Sequence, residues 1–182
     1  YAIDYKIWKL NPIGYHITNI LFYILTCIMV FFTLRLLSTE LRKGASPYSH
    51  GRVAIFGALL FAAHPVHVEA VTWLAARKEV LQSFFFFLAF YSYLKGRNKE
   101  TSKKTVYLSI VLVSFLLAVL SKASAVVFPG IIILYELARG KEKLLSFIRD
   151  HWVFIMAALV VSGIFTYIMM KVMFEAGGIK PY

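Results

Sequence analysis

Cysteine is almost absent from this 182-residue chain. Cys27 is the single cysteine, so an internal disulfide is excluded and cysteine usage says nothing about the redox compartment. The sequence opens at Tyr1 without a methionine, and no signal peptide is recognisable. We therefore expect a fragment of a longer protein.

Acidic residues are also scarce, since 9 Asp and Glu stand against 20 Lys and Arg to give a net charge of +11. In a soluble protein such an excess would indicate nucleic-acid binding, but no basic face interleaved with aromatic residues is present. The cations instead lie in short segments between apolar runs, where they set membrane topology and contact lipid headgroups. This pattern excludes nucleic acid as a partner and favours membrane lipid.

Apolar and aromatic residues dominate the chain, at 60% and 16% of the sequence. Six apolar runs can be drawn: Ile17–Leu37, Val53–Ala63, Val80–Leu94, Thr105–Leu120, Ala123–Ala138 and Trp152–Met170. A helix needs roughly 20 apolar residues to cross a bilayer core, and only the first and last runs approach that length unaided. Alternating strands are absent, and open sheets leave unmet hydrogen bonds in lipid. The sequence predicts an all-α polytopic bundle of about six transmembrane helices.

The cations are divided unequally between the two sides of this predicted bundle. Three loop regions hold thirteen of the 20 cations: Arg35, Arg42, Lys43, Arg52; Lys95, Arg97, Lys99, Lys103, Lys104; Arg139, Lys141, Lys143 and Arg149. The positive-inside rule places loops 38–52, 95–104 and 139–150 in the cytoplasm. The other side receives residues 1–16, 64–79, 121–122 and the tail from about Lys171. Cysteines introduced at Ser46 and Ala75 should therefore be labelled from opposite sides.

One stretch, HPVHVEAVTWLAARKEV at 64–80, carries ionisable residues between two apolar runs. Such residues are costly to keep at membrane depth, which makes them a functional-site hypothesis. Pro65 favours the first turn of a helix, so we expect a short interfacial helix near 65–76. Glu69, Trp73 and Arg77 would follow one stripe of that helix, with His67 and Lys78 on the neighbouring stripe.

Phosphate binding is the first interpretation of this stretch. Arg77, Lys78 and Lys122 are cations that end neighbouring helices on the same predicted side, and the turn at 121–122 is too tight to carry Lys122 away from the membrane. Arginine grips phosphate through two hydrogen bonds, and lysine acts as a point charge. A lipid-linked phosphate would match cations beside an apolar groove.

Two other interpretations stay open. His64, His67 and Glu69 are predicted to form a polar cluster that supports the phosphate site. Their donor types also suit a divalent cation, but the spacing HxxHxE is not an established metal signature, so no metal site is assigned. In the purely structural interpretation, the cations extend to the interface, the histidines bond locally and a glutamate pairs with a cation.

Two further candidate carboxylates lie outside this stretch. Asp4 is a catalytic candidate alongside Glu69, although pairing with Lys6 or Lys9 explains it without a function. Glu136 stands three residues before Arg139, which predicts a helix-surface ion pair. Because Glu136 lies on the predicted cytoplasmic side, its removal is expected to leave activity nearly unchanged.

Three blocks of the sequence match a known family. YAIDYKIWKLNPIGYHITNILFYIL at 1–25, HPVHVEAVTWLAARKEVLQSFFFFLAFYSYL at 64–94 and LAVLSKASAVVFPGIIILYEL at 117–137 resemble the transmembrane and tetratricopeptide-repeat-containing O-mannosyltransferases and their prokaryotic relatives. This family is part of the GT-C class of membrane glycosyltransferases. At the family's usual SKE turn the chain reads SKA, so Lys122 matches and its acidic neighbour does not.

The resemblance implies a GT-C-like enzyme that moves a sugar from a polyprenyl- or dolichyl-phosphate carrier to an acceptor, expected to be a protein hydroxyl, on the non-cytoplasmic side. The family's essential carboxylate follows its first transmembrane helix, which would precede Tyr1. Residues 1–182 would then be a partial membrane domain without the first helix, the first extracytoplasmic loop and the tetratricopeptide repeats. We expect an integral membrane protein, first of all in a bacterial or archaeal cell membrane, and in the endoplasmic reticulum membrane if the source is eukaryotic.

A transporter or channel segment, or a purely structural membrane component, is the alternative function. A transporter should carry ionisable groups midway across the membrane on several helices. Here these groups lie at one predicted surface, which favours the enzyme.

Overall fold

The computed structural model describes residues 2–42, 44, 46–73, 76–97 and 101–175. Some positions used above lie outside the described residues: Lys43, Ala75 and Lys99, and the side chains of Asp4, Lys141 and Lys143. The helices are α1 (Ala2–Trp8), α2 (Pro12–Leu41), α3 (Pro47–Ala63), α4 (Val66–Thr72), α5 (Arg77–Gly96), α6 (Thr101–Ser121), a 3₁₀ helix (Ala123–Val127), α7 (Phe128–Ala138) and α8 (Lys141–Glu175). No strand occurs in the described part, so the predicted all-α fold is confirmed there.

Two long helices start at an Asn-Pro or Ser-Pro pair. Asn11 accepts a hydrogen bond from the backbone N–H of Ile13 at 3.0 Å, and Ser46 accepts one from Ser49 at 3.2 Å. These side chains satisfy N–H groups that the first turn leaves without a partner, and the following proline has no N–H to satisfy. Local sequence therefore fixes where α2 and α3 begin.

Each of the six apolar runs lies within a helical segment, but not every segment qualifies as a membrane span. Among the described residues, three helices are long and apolar enough to cross a membrane: Pro12–Leu41, Lys103–Ser121 and Ile155–Val172. A fourth is obtained if α3 and α4, which meet at a 64° bend, form one broken span. The expected count of about six spans and the GT-C-like arrangement stay predictions.

The core forms where α5 packs between α2 and α6, with α7 closing one side. Phe115 stacks against Phe128 with ring centroids 5.4 Å apart, and both are buried. The four consecutive phenylalanines of α5 project in different directions: Phe84 meets Phe22 of α2, Phe87 meets Phe61 of α3, and Phe86 meets Phe128 of α7. α5 thus holds the bundle together.

The helices run alternately between two ends of the bundle. At one end, Glu40 of α2 lies within 3.8 Å of Arg97 and 3.5 Å of Arg139, which follow α5 and α7. At the other end, the start of α5 meets the first turns of α2 through Arg77. The predicted grouping of the first, second and third cation-rich loops at one end is confirmed at these three positions.

Which end faces the cytoplasm stays a prediction. In a Cys27→Ser background, cysteines at Ser46 and at Val68 of α4, both exposed, should react with a membrane-impermeant maleimide from opposite sides of sealed vesicles. Ser46→Cys should react only when the maleimide has access to the cytoplasmic face of the membrane. Labelling of both from the same side would contradict this topology.

Candidate functional site

The candidate site is built around α4, a seven-residue helix between two breaks in the chain. His64 and Pro65 separate it from α3, and at Trp73 the backbone turns to an extended conformation (φ −84°, ψ 120°). A helix this short is marginal alone and depends on its neighbours. The side-chain amide of Asn19 donates to the Trp73 carbonyl at 3.5 Å, which ties this end of α4 to α2. The predicted short helix is present, ending four residues earlier than expected.

The two sides of α4 face different surroundings. A cavity of about 260 Å³, here named the α4–α5 cavity, is lined by Glu69, Trp73, Lys78, Glu79 and Lys122 with two alanines. A second space of about 240 Å³ is lined by Tyr23, His64, His67 and small apolar residues. Since successive helical residues are about 100° apart, His67 and Glu69 point to opposite sides. The predicted His–Glu cluster is therefore divided between two spaces.

Lys122 is paired within the α4–α5 cavity. Its ammonium group forms an ion pair with Glu79, and both side chains remain partly exposed, at 38% and 33%. Ser124 donates to the side-chain oxygen of Gln82 at 3.0 Å, one turn further along α5. These two contacts hold the start of the 3₁₀ helix against α5, so the position of Lys122 is set by two contacts rather than by the turn alone.

Lys78 is the more available cation of this cavity. It is exposed, and among the described residues no carboxylate lies within ion-pair distance of its ammonium group. The structure thus brings Lys78 and Lys122 together, as predicted, at the end of the bundle that carries α4.

Arg77 takes a different direction from its neighbour Lys78. Its side chain is 4% exposed and points into α2, where Nε donates to Asn19 Oδ1 and Nη2 donates to the Tyr15 carbonyl, each at 3.1 Å. The guanidinium also lies over the Tyr15 ring, 5.6 Å from its centroid. These contacts join α5 to α2. Arg77 is not among the described residues that line the α4–α5 cavity, and its phosphate-binding role stays a prediction.

The two histidines make local contacts. The Val66 N–H donates to His64 Nδ1 at 3.2 Å, which helps to start α4. The His67 ring lies 4.3 Å from the Phe61 ring, centroid to centroid. In the part of the chain that the structure describes, no three His, Cys, Asp or Glu side chains are grouped to hold a metal ion. The contacts match the structural interpretation of His64 and His67.

Sequence reasoning missed Asn19 and underrated Trp73. Asn19 is buried beside Arg77 and reaches Trp73, so one amide organises the junction of α2, α4 and α5. Its signal in the sequence is a lone amide within an apolar run, where an unpaired polar group would be costly. Trp73 is predicted only to share a helical stripe with Glu69 and Arg77, but it also lines the α4–α5 cavity.

At the opposite end, Glu136 corrects a prediction. It pairs with Arg139 at 3.2 Å, as the spacing indicated, but it is only 1% exposed. Tyr93 donates to it at 2.6 Å, and Arg97 Nε lies 3.5 Å from the same carboxylate oxygen. The carboxylate is therefore the centre of a buried ionic network rather than part of a surface pair. That its removal leaves activity nearly unchanged stays a prediction.

Comparison with known proteins gives a consistent set of relatives. Protein O-mannosyl-transferase TMTC3 of Mus musculus is 35% identical over 138 residues, which cover 75% of this chain and 14% of the relative. Tmtc3 of Drosophila melanogaster is 34% identical over 151 residues, covering 75% and 16%. Protein O-mannosyl-transferase TMTC4 of Homo sapiens is 30% identical over 149 residues, covering 76% and 20%. No protein-family model and no solved structure matches the chain.

The resemblance read from three sequence blocks is thus confirmed over about three quarters of the chain. The chain spans at most about a fifth of the length of these curated relatives. Their sources are animals, so the expected bacterial or archaeal membrane receives no support. The apolar helices suit a membrane protein.

Proposed function

We propose that the chain forms part of a membrane glycosyltransferase, because over three quarters of its length it is homologous to proteins named O-mannosyl-transferases. The enzyme would transfer mannose from a polyprenyl- or dolichyl-phosphate carrier to a protein hydroxyl on the non-cytoplasmic side. The single observation in the structure that carries this proposal is the meeting of Lys78 and Lys122 at one cavity beside the end of a broken apolar span.

In the proposed reaction the acceptor hydroxyl oxygen attacks the anomeric carbon of the sugar. The bond from that carbon to the phosphate oxygen breaks, and the lipid phosphate leaves with the bonding electrons. A carboxylate takes the acceptor proton. Glu69 lines the α4–α5 cavity and is the candidate for this base among the described residues. The family resemblance instead implies a base at a position before Tyr1.

The cations of the cavity would act on the leaving group. Negative charge grows on the lipid phosphate as the sugar departs, so a lysine beside it stabilises the transition state more than the ground state. Lys78 is exposed and available. Lys122 lies 43 residues after Glu79 in sequence and is held at the same cavity by its ion pair with Glu79. Arg77 would support this site by fixing α5 against α2.

The alternative of a transporter segment is not favoured by the geometry. Of the charged residues of the α4–α5 cavity, Glu69 belongs to the short helix α4, and the others lie at the start of α5 and just after α6, not midway along the long helices. A transport path needs polar groups near the membrane midplane. The arrangement suits a site reached from one surface.

The direct test is transfer by the full-length protein that carries this chain, purified and reconstituted in liposomes. Radiolabelled mannosyl-phosphoryl-polyprenol and an unfolded acceptor protein should yield labelled protein. Folded, reconstituted enzyme that leaves the acceptor unlabelled with this donor and with its dolichyl equivalent would overturn the proposal.

A further inference from the structure

We infer that the α4–α5 cavity binds the sugar ring of the donor, with Trp73 against the face of the ring and the carboxylates of Glu69 and Glu79 accepting hydrogen bonds from its hydroxyls. This inference rests on the proposed function. It places the phosphate at the edge of the cavity, beside Lys78 and Lys122, rather than between the two carboxylates.

The balance of charge in the cavity carries the first step. Two carboxylates and two ammonium groups line it, so its formal charge is zero. Lys122 is already paired with Glu79, and Arg77 points away into α2. A phosphate placed among these groups would lie beside two carboxylates, and like charges in a partly desolvated site repel strongly. A neutral ligand avoids this cost.

The chemistry of the lining carries the second step. Sugar hydroxyls both donate and accept, so carboxylates and ammonium groups can satisfy them together. Trp73 is 59% exposed although it is the largest side chain of the cavity. An indole face offers apolar contact to the C–H groups on one side of a sugar ring, while its edge stays available for hydrogen bonding. The lining therefore suits a ligand that is polar at its rim and apolar on its face.

The size of the cavity carries the third step. Its volume of about 260 Å³ is slightly below the range typical of drug-sized ligands, roughly 300–1,000 Å³. This space suits one sugar ring rather than an oligosaccharide. Lys78 is the second residue of α5 and is exposed, so a phosphate bound there stays near the membrane surface with its lipid chain in the bilayer.

The experiment measures the affinities of two lipids for the full-length protein in nanodiscs. Each unlabelled lipid competes with tritiated mannosyl-phosphoryl-polyprenol. The probes are mannosyl-phosphoryl-polyprenol and the same polyprenyl phosphate without the sugar. The unmodified protein should bind the mannosyl lipid about tenfold more tightly, which corresponds to about 1.4 kcal/mol. Trp73→Ala should remove this preference and leave the affinity for bare polyprenyl phosphate unchanged.

Two further variants separate the parts of the site. Lys78→Met should weaken binding of both lipids to a similar extent, since both carry phosphate. Trp152→Ala is the matched control, because Trp152 is similarly exposed and lies in α8, away from the cavity. It should keep the tenfold preference.

The outcomes distinguish this inference from the proposed function. Equal binding of both lipids by the unmodified protein, or a preference that survives in Trp73→Ala, would overturn the sugar site and leave the lipid-phosphate enzyme standing. Binding of neither lipid would overturn the proposed function itself, and the sugar site with it.

Discussion

Replacing Glu136 with alanine is expected to destabilise the helical bundle by about 3–5 kcal/mol, the scale for breaking a buried ion pair on one side. Glu136 is almost completely buried and receives a hydrogen bond from Tyr93 and an ion pair from Arg139. Its removal would leave the guanidinium groups of Arg97 and Arg139 without their buried carboxylate and with only the more exposed Glu40 beside them. Thermal unfolding in detergent micelles measures the effect.

The controls for this prediction lie in the same chain. Glu142→Ala removes an exposed carboxylate from the first turn of α8 and should change stability by less than about 0.5 kcal/mol. Glu136→Gln keeps an acceptor for Tyr93 but loses the charge, so its effect should fall between the two. Equal melting temperatures for Glu136→Ala and Glu142→Ala would show that the network adds no stability.

Sugar transfer by the full-length protein should fall roughly 10²-fold in Lys78→Ala and in Lys122→Ala, the scale for losing one preorganised electrostatic group. The Lys122–Glu79 pair is partly exposed and contributes only about 0–1 kcal/mol, so both variants should remain folded. Lys103 is an exposed lysine at the opposite end of the bundle, so the Lys103→Ala variant should transfer the sugar at the normal rate. The measurement is the initial rate with mannosyl-phosphoryl-polyprenol, alongside the melting temperature.

A charge exchange separates an electrostatic role of Lys122 from a structural one. The double variant Glu79→Lys with Lys122→Glu restores an ion pair between α5 and the 3₁₀ helix, but it moves the ammonium group to α5. Activity should stay low if Lys122 acts on the ligand. Recovery of normal transfer in the double variant would mean that Lys122 only holds the 3₁₀ helix in place.

Arg77→Ala should act through the fold instead. Its guanidinium joins α5 to Asn19 and Tyr15, so its loss should lower the melting temperature and the transfer rate together. Lys78→Ala, one residue later, should lower the rate alone. Comparing these two variants therefore distinguishes a residue that positions the site from one that touches the ligand. A normal melting temperature in Arg77→Ala would contradict the positioning role.

The sequence by itself determined the features that depend on neighbours along the chain. The caps at Asn11 and Ser46 fixed helix starts, and the six apolar runs all became helical. The division of cations between loops predicted which helix ends lie together, since alternating helices must return to the same end. The prediction that residues 64–79 and 121–122 share one end agrees with the ion pair between Lys122 and Glu79.

Tertiary structure decided what the charged residues contact. Arg77, Lys78 and Glu79 are consecutive, so on a helix they point about 100° apart, and only the packing of α5 selects which of them meets α2, the cavity or the 3₁₀ helix. Composition cannot distinguish these directions. The same holds for Glu136, whose spacing to Arg139 indicated an ordinary surface pair. Its burial arises because α2, α5 and α7 end at one place, and a low-dielectric junction of three helices turns that surface pair into a buried network.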